Sequence, residues 1–282
     1  MKIIDARLRP PLKDYLRCNL YRDPKKTQAW SDNFLMKLSP AAEQRNAELL
    51  YQEMDEAGVT LGVMTGRQSP DMGHVSNDDL MAIVKEQPSR FVGVAGVDGS
   101  NPAAALAEIE RTVVNGNLHA AGMEPGCGDI PMYVDDARLY PIYQYCMEHG
   151  IPMFLMGGGG NGPDISFSNP EHIDRVCRDF PHLTVVNMHG SYPWVPQVLF
   201  SCMCHSNMYL APDMYMYNMP GVQDYVVAAN GFLKDRFLFG SGYPYIPLKQ
   251  AVDLFLAMPF KQEVLPNLLY KNMARVLGLD ME

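Results

Sequence analysis

A single-domain (β/α)8 barrel, the TIM-barrel class, with a long insertion after its first strand is the fold that this sequence predicts. Three observations lead there. Eight short apolar runs alternate with helix-patterned runs along the chain. The 282 residues suit one such barrel. The first strand is followed by RLRPPLKD, without the glycines of a phosphate-binding loop, and this argues against a doubly wound open sheet.

The strands are expected at KIIDAR, at GVTLGVMTG (58–66) and at RFVGVAGVD (90–98). They continue at LHAAGMEP (118–125), IPMFLMGG (151–158), LTVVNMHG (183–190), NMYLAPDMY (207–215) and RFLFGSGYP (236–244). Most are rich in β-branched or large apolar residues over a strand's length, as strands buried on both faces require, and LHAAGMEP is apolar through small residues. Helices are expected at 46–58, 101–116, 140–150 and 169–181. Asn101-Pro102 and Asn169-Pro170 set a capping side chain before a proline in the first turn, and several helical runs stop at glycine. Residues 12–45 precede the first outer helix and carry Tyr15, Tyr21, Trp30 and Phe34. An insertion there sits on the catalytic face, as a lid or an oligomer contact.

The bulk numbers exclude several classes. With 32 acidic against 23 basic residues, the net charge of −9 speaks against nucleic-acid binding, which needs a basic face. No run of about 18 apolar residues predicts a membrane span. The apolar start IIDA is too short for a secretory signal, and six scattered cysteines read as reduced thiols, so a cytoplasmic protein is expected. Cys202, Cys204 and His205 lack the spacing and second ligand pair of a zinc site. The 20 methionines read as core filler.

Barrel chemistry resides where strands end and loops begin. The expected ends carry Arg7 and Arg9 on strand one, Arg67 on strand two, Glu124 on strand four, His189 on strand six, Asp213 on strand seven, and Tyr243 and Tyr245 on strand eight. Arginine forks bind carboxylate or phosphate, and converging arginines need an anion between them, either a ligand or a carboxylate such as Glu124 or Asp213. His189 is the histidine placed for proton transfer near neutral pH. GGGGNG (157–162) lacks a P-loop lysine but lets backbone approach a ligand closely. Each group also has a structural role open to it: an ion-pair network for the arginines, a turn cap for His189 and Asp213, and packing for the tyrosines.

The motifs IIDARLRP, IPMFLMGG, NPEHIDRVCRDFPHLTVVNMHG and FLFGSGYP resemble those of the amidohydrolase-related family of the metal-dependent hydrolases, the group that contains aminocarboxymuconate-semialdehyde decarboxylase. That resemblance spans nearly the whole chain and implies the barrel fold. It also implies where a metal would be held: the family's two strand-one histidines correspond to Arg7 and Arg9, its strand-five histidine to Met156, and its strand-eight aspartate to Gly242. His189 alone keeps the family's residue. Guanidinium offers no lone pair to a metal. The expectation is therefore an enzyme without metal or other cofactor that acts on a small carboxylated substrate, with Arg7, Arg9, Arg67, Tyr243 and Tyr245 binding and His189, Glu124 and Asp213 catalytic. Hydrolysis of a lactone or similar bond is the first reaction, and decarboxylation, another lyase step or isomerisation the alternative. A non-catalytic binding protein on the same scaffold, and a metal held instead by His189, Glu124 and Asp213, are the competing readings. A homo-oligomer, formed through outer helices or the insertion, stays open.

Overall fold

The structure is a computed structural model that describes residues 2–280. Its strands are β1 (Ile4–Asp5), β2 (Leu61–Thr65), β3 (Arg67–Ser69), β4 (Gly73–Val75), β5 (Phe91–Gly96), β6 (Ala120–Met123), β7 (Met153–Met156), β8 (Val185–Met188) and β9 (Met208–Ala211). Seven of them pair in parallel in the order β1-β2-β5-β6-β7-β8-β9, with chain neighbours adjacent in space. Helices connect them, so this is the predicted TIM-barrel-like fold.

The expected eighth strand is less regular than its sequence suggests. Leu210 N donates to Arg236 O at 3.0 Å and Leu238 N to Leu210 O at 2.9 Å, while Ala6 N donates to Phe239 O at 2.9 Å. Leu8 forms a parallel bridge to Tyr243. Residues 236–243 thus close the barrel between β9 and β1 by single backbone bonds. Gly242 explains part of the irregularity: its φ is +75°, and a Cβ there would sit 2.8 Å from Met214 Cβ.

Two apolar layers hold the barrel. Ile4, Ala6, Val63, Val94, Phe154 and Val186 form one buried cluster, which reaches the helix Asn272–Leu277 through Met273 and Leu277. The other strand face packs Met64, Leu155 and Leu210 against the outer helices through Leu50, Ile142, Val198 and Phe255. At about 25 cal/mol per Å2 of apolar surface, this burial is the main term that favours the fold. The outer helices begin as expected. Asn46, Asn101 and Asn169 accept from the backbone N–H of Leu49, Ala104 and Glu171, and Gly58 closes the helix Ala47–Ala57 in left-handed conformation.

The insertion after β1 folds into short helices at Asn19–Arg22, Pro24–Asp32 and Pro40–Glu43. Buried hydroxyls tie it to the strand ends: Tyr21 donates to Arg9 O at 2.6 Å and Tyr15 to Thr65 O at 2.7 Å. A feature absent from the expectation is the antiparallel hairpin β3–β4 directly after β2, in which Arg67 pairs with Val75. No helix among the described residues is long and apolar enough to cross a membrane.

Candidate active site

The two strand-one arginines share a strand end but turn to different partners. Arg7 Nη1 donates to Thr65 Oγ1, and its Nη2 lies 3.2 Å from Glu124 Oε1. Arg9 turns toward the closing segment: Nε donates to Tyr243 O at 2.8 Å and Nη2 to Gly242 O at 2.6 Å. Asp5 braces strand one against the closing segment, accepting from Arg7 N at 3.0 Å and from the backbone N–H and hydroxyl of Ser241.

Glu124, after β6, is the carboxylate between arginines. Arg67 Nε reaches its Oε2 at 2.8 Å and Arg67 Nη2 its Oε1 at 3.0 Å, a bidentate pair to which Arg7 adds a third bond. The side chains are almost fully buried. Burial alone would push the Glu124 carboxyl up, but Arg67 and then Arg7 overcome it and hold it at about 2. Glu124 is therefore an ionised counter-charge whose oxygens are taken, not a proton donor near neutral pH.

His189 and Asp213 form the second unit. His189 Nδ1 lies 2.7 Å from Asp213 Oδ2, a close contact that is bent away from ideal hydrogen-bond alignment. Asp213 Oδ1 accepts from Met214 N at 2.6 Å. Both residues take left-handed backbone, with φ of +64° and +45°, a conformation that is costly for non-glycine residues and recurs at functional sites. Burial lowers the His189 pKa below its ordinary 6.5; Asp213 opposes this, and Arg7 and Arg9 reinforce it. The net effect favours the neutral imidazole. With Nδ1 at Asp213, Nε2 is left for the cavity that His189 lines.

That cavity is about 220 Å3 and is lined by Arg9, Arg67, His189, Tyr245, Trp30 and Asn161, among others. Arg9 stacks on the Tyr245 ring, 5.2 Å from its centroid. Among the described residues, Nη1 of Arg9 and of Arg67 has no hydrogen-bond partner. Two further polar groups of the lining are unpaired. Asn161 Nδ2 and Asn19 Oδ1 are buried without a partner, and both residues line the cavity.

The structure thus brings together Arg9, Arg67, His189 and Tyr245, with Asp213 behind His189 and with Arg7 and Glu124 behind Arg67. It does not bring Tyr243 there. That side chain is wholly buried, and its hydroxyl lies 3.3 Å from Ser39 Oγ under the insertion, on the far side of the irregular Gly242–Pro244 segment from the cavity. Asn19, Asn161 and Trp30 were not singled out as site residues. The glycines around Asn161 were the signal for it; Asn19 has none in the sequence.

The donors do not fit a divalent cation. Where the resemblance places metal ligands stand two guanidinium groups, a buried thioether at Met156 and a glycine. His189, Glu124 and Asp213 do not gather as a substitute set: the arginines take Glu124, and no three of His, Cys, Asp and Glu among the described residues are grouped to hold an ion.

Comparison with known proteins places the fold in a family. Over 85 residues, 30% of this chain and 23% of the relative, it is 26% identical to a 2-amino-3-carboxymuconate-6-semialdehyde decarboxylase of Dictyostelium discoideum. The matched part is thus under a quarter of that enzyme's length. An uncharacterized TIM-barrel protein of Bordetella bronchiseptica superposes with a TM-score of 0.96 at 42% identity, covering 99% of each chain. A dihydroxybenzoic acid decarboxylase of Polaromonas sp., solved with bound manganese and the inhibitor 2-nitroresorcinol, superposes at 0.72 with 17% identity, over 100% of this chain and 98% of the other. A 2,6-dihydroxybenzoate decarboxylase of Rhizobium gives 0.70 at 15% over the full length of both. At those identities the decarboxylases share the fold alone. The amidohydrolase family model matches residues 4–279, and with nearly the whole barrel matched, the chain belongs to the amidohydrolase family.

Proposed function

We propose that this protein is a metal-independent hydrolase of a small carboxylated substrate, acting on a lactone or similarly activated ester. The observation that carries the reading is the pairing of a neutral histidine, backed by a buried aspartate, with two arginines that keep N–H groups facing the same cavity. Arg9 and Arg67 hold the substrate carboxylate and the oxyanion that forms at the attacked carbonyl. His189 Nε2 takes a proton from water as the water oxygen bonds to the carbonyl carbon. Asp213 steadies the imidazolium. Collapse of the tetrahedral intermediate breaks the C–O bond, and the leaving oxygen recovers the proton from His189. Glu124 keeps Arg7 and Arg67 in place and takes no part in proton transfer. No step passes through a metal, because the donors around the cavity do not suit one.

A second reading is decarboxylation of a similar carboxylate. The partial identity to the semialdehyde decarboxylase and the fold shared with the dihydroxybenzoate decarboxylases favour it. One experiment separates the two. The protein is purified without chelator, its metal content is measured, and a panel of lactone and aromatic carboxylates is followed in a pH-stat and by carbon dioxide release. Acid production from a lactone carboxylate by metal-free protein, lost in His189→Asn, is the expected result. Carbon dioxide release in its place gives the second reading, and activity that tracks stoichiometric zinc or manganese overturns the metal-free mechanism.

A further inference from the structure

The arginine cavity is small for a whole ligand. Its 220 Å3 falls below the roughly 300–1,000 Å3 usual for small-molecule sites. Beside it lies a chamber of about 480 Å3, and the two share Trp30, Gly159, Gly160 and Tyr215 as common wall. The chamber has a different character. Phe34, Tyr192, Met219 and Ile165 line it, and no lysine, arginine or histidine does. Asp164, its one carboxylate, already accepts from the backbone N–H and hydroxyl of Ser166.

Tyr215 is the partition. One side of its ring meets His189 edge-on, with centroids 6.0 Å apart, while Tyr192 stacks on it at 4.5 Å and Phe34 approaches edge-on at 5.8 Å. Its hydroxyl donates to Gly159 O at 3.1 Å. Part of the shared lining is glycine. A Cβ on Gly159 would strike the Tyr215 hydroxyl, whereas one on Gly160 would meet nothing within 4 Å. Gly160 is exposed, so the rim that the two cavities share there is open rather than filled by side chain. At the rim, Trp30 and Ile165 are 43% and 57% exposed, apolar surface that a ligand would cover.

We propose that the substrate is an amphiphilic carboxylate whose anionic head sits between Arg9 and Arg67 and whose aromatic or alkyl tail crosses Gly160 into the Trp30–Phe34–Tyr192–Met219 chamber. This rests on the arginine cavity as an anion site and deepens that reading. The tail supplies affinity by apolar burial, and the head fixes the carbonyl at His189.

The test is calorimetric binding of propionate and 6-phenylhexanoate to the full chain, to Met219→Trp, which fills the chamber, and to Ile165→Asp, which charges its exposed rim. The phenyl compound is expected to bind at least tenfold tighter than propionate, and each variant to cut that ratio to about threefold or less. Equal affinity for the two acids, or a ratio unchanged in both variants, overturns the proposal. The outcome also separates this proposal from the reaction: a tail-dependent gain without hydrolysis of any ester leaves the chamber standing and removes the hydrolase reading. Failure of both acids to bind removes the anion site and the chamber proposal with it.

Discussion

Two clusters of charged side chains lie at the same end of the barrel and differ in how completely they are satisfied. Around Glu124, both carboxylate oxygens are engaged by Arg67 and Arg7, and the unpaired atoms are confined to the outer guanidinium nitrogens, Arg7 Nε and Arg67 Nη1. Around His189, the polar groups face space: Arg9 keeps an uncommitted N–H group, and Asn19 and Asn161 hold buried atoms without partners. A closed network of buried charges rigidifies a fold, and breaking it is costly. An open one costs the fold stability that a bound ligand restores. The difference teaches that strand-end arginines are not one functional class. On the proposed reading, Arg7 belongs to the frame, Arg9 to the ligand, and Arg67 joins them.

The sharpest way to break this comparison is Glu124→Gln. It leaves two buried guanidinium groups with no counter-charge, and a loss of about 3–5 kcal/mol in denaturant unfolding is expected. The sign of the pH effect follows. The folded carboxyl is held at about 2 against an ordinary 4.5, so its stabilisation is present above 4.5 and is lost as pH falls toward 2. The stability gap between the wild type and Glu124→Gln should therefore narrow across that window; a gap independent of pH would mean that Glu124 is not the paired anion.

The next largest effect is expected on the open side. His189→Asn should lower kcat/KM by about 10^2–10^4-fold with the fold intact by circular dichroism. Because burial sets the His189 ionisation below 6.5 and the neutral form is the base, wild-type kcat/KM should be flat through neutrality and fall only on the acid side. A profile that instead rises between pH 7 and 9 would assign the base to another group. Arg9→Lys comes third. It keeps a charge but loses the planar fork that spans Gly242 O and Tyr243 O, so carboxylate binding should weaken about 10- to 100-fold in calorimetry, with a smaller change in melting temperature than Glu124→Gln causes. The smallest is Tyr243→Phe. Its hydroxyl faces Ser39, so stability should fall by about 1 kcal/mol with unchanged carboxylate affinity; a large affinity loss would return Tyr243 to the site.

Much of the barrel could be read in advance because its signals are local. Apolar runs such as TVVNM and MFLM are strands by composition, and Asn-Pro pairs cap helices by geometry that the neighbouring backbone supplies. The run RFLFGSGYP (236–244) has the composition of a regular strand, whereas left-handed Gly242 and its contact with Met214 depend on a partner 28 residues earlier in the chain. The hairpin β3–β4 was missed because RQS and GHV carry little strand signal; pairing, not propensity, forms it.

The sequence by itself determined the fold class and seven of the expected barrel strands, and it set Arg7, Arg9 and His189 at strand ends, where the resemblance makes them candidates for the site. These follow from residue type and from periodicities that span a few residues. Only the tertiary structure decided that Asp213 and not Glu124 meets His189, that Glu124 neutralises Arg7 and Arg67, that Tyr243 turns away, and that Asn19, Asn161 and Trp30 join the cavity. Those outcomes depend on which strand ends lie across from one another and on which side chain reaches a buried charge first. Spacing along the chain carries no record of either.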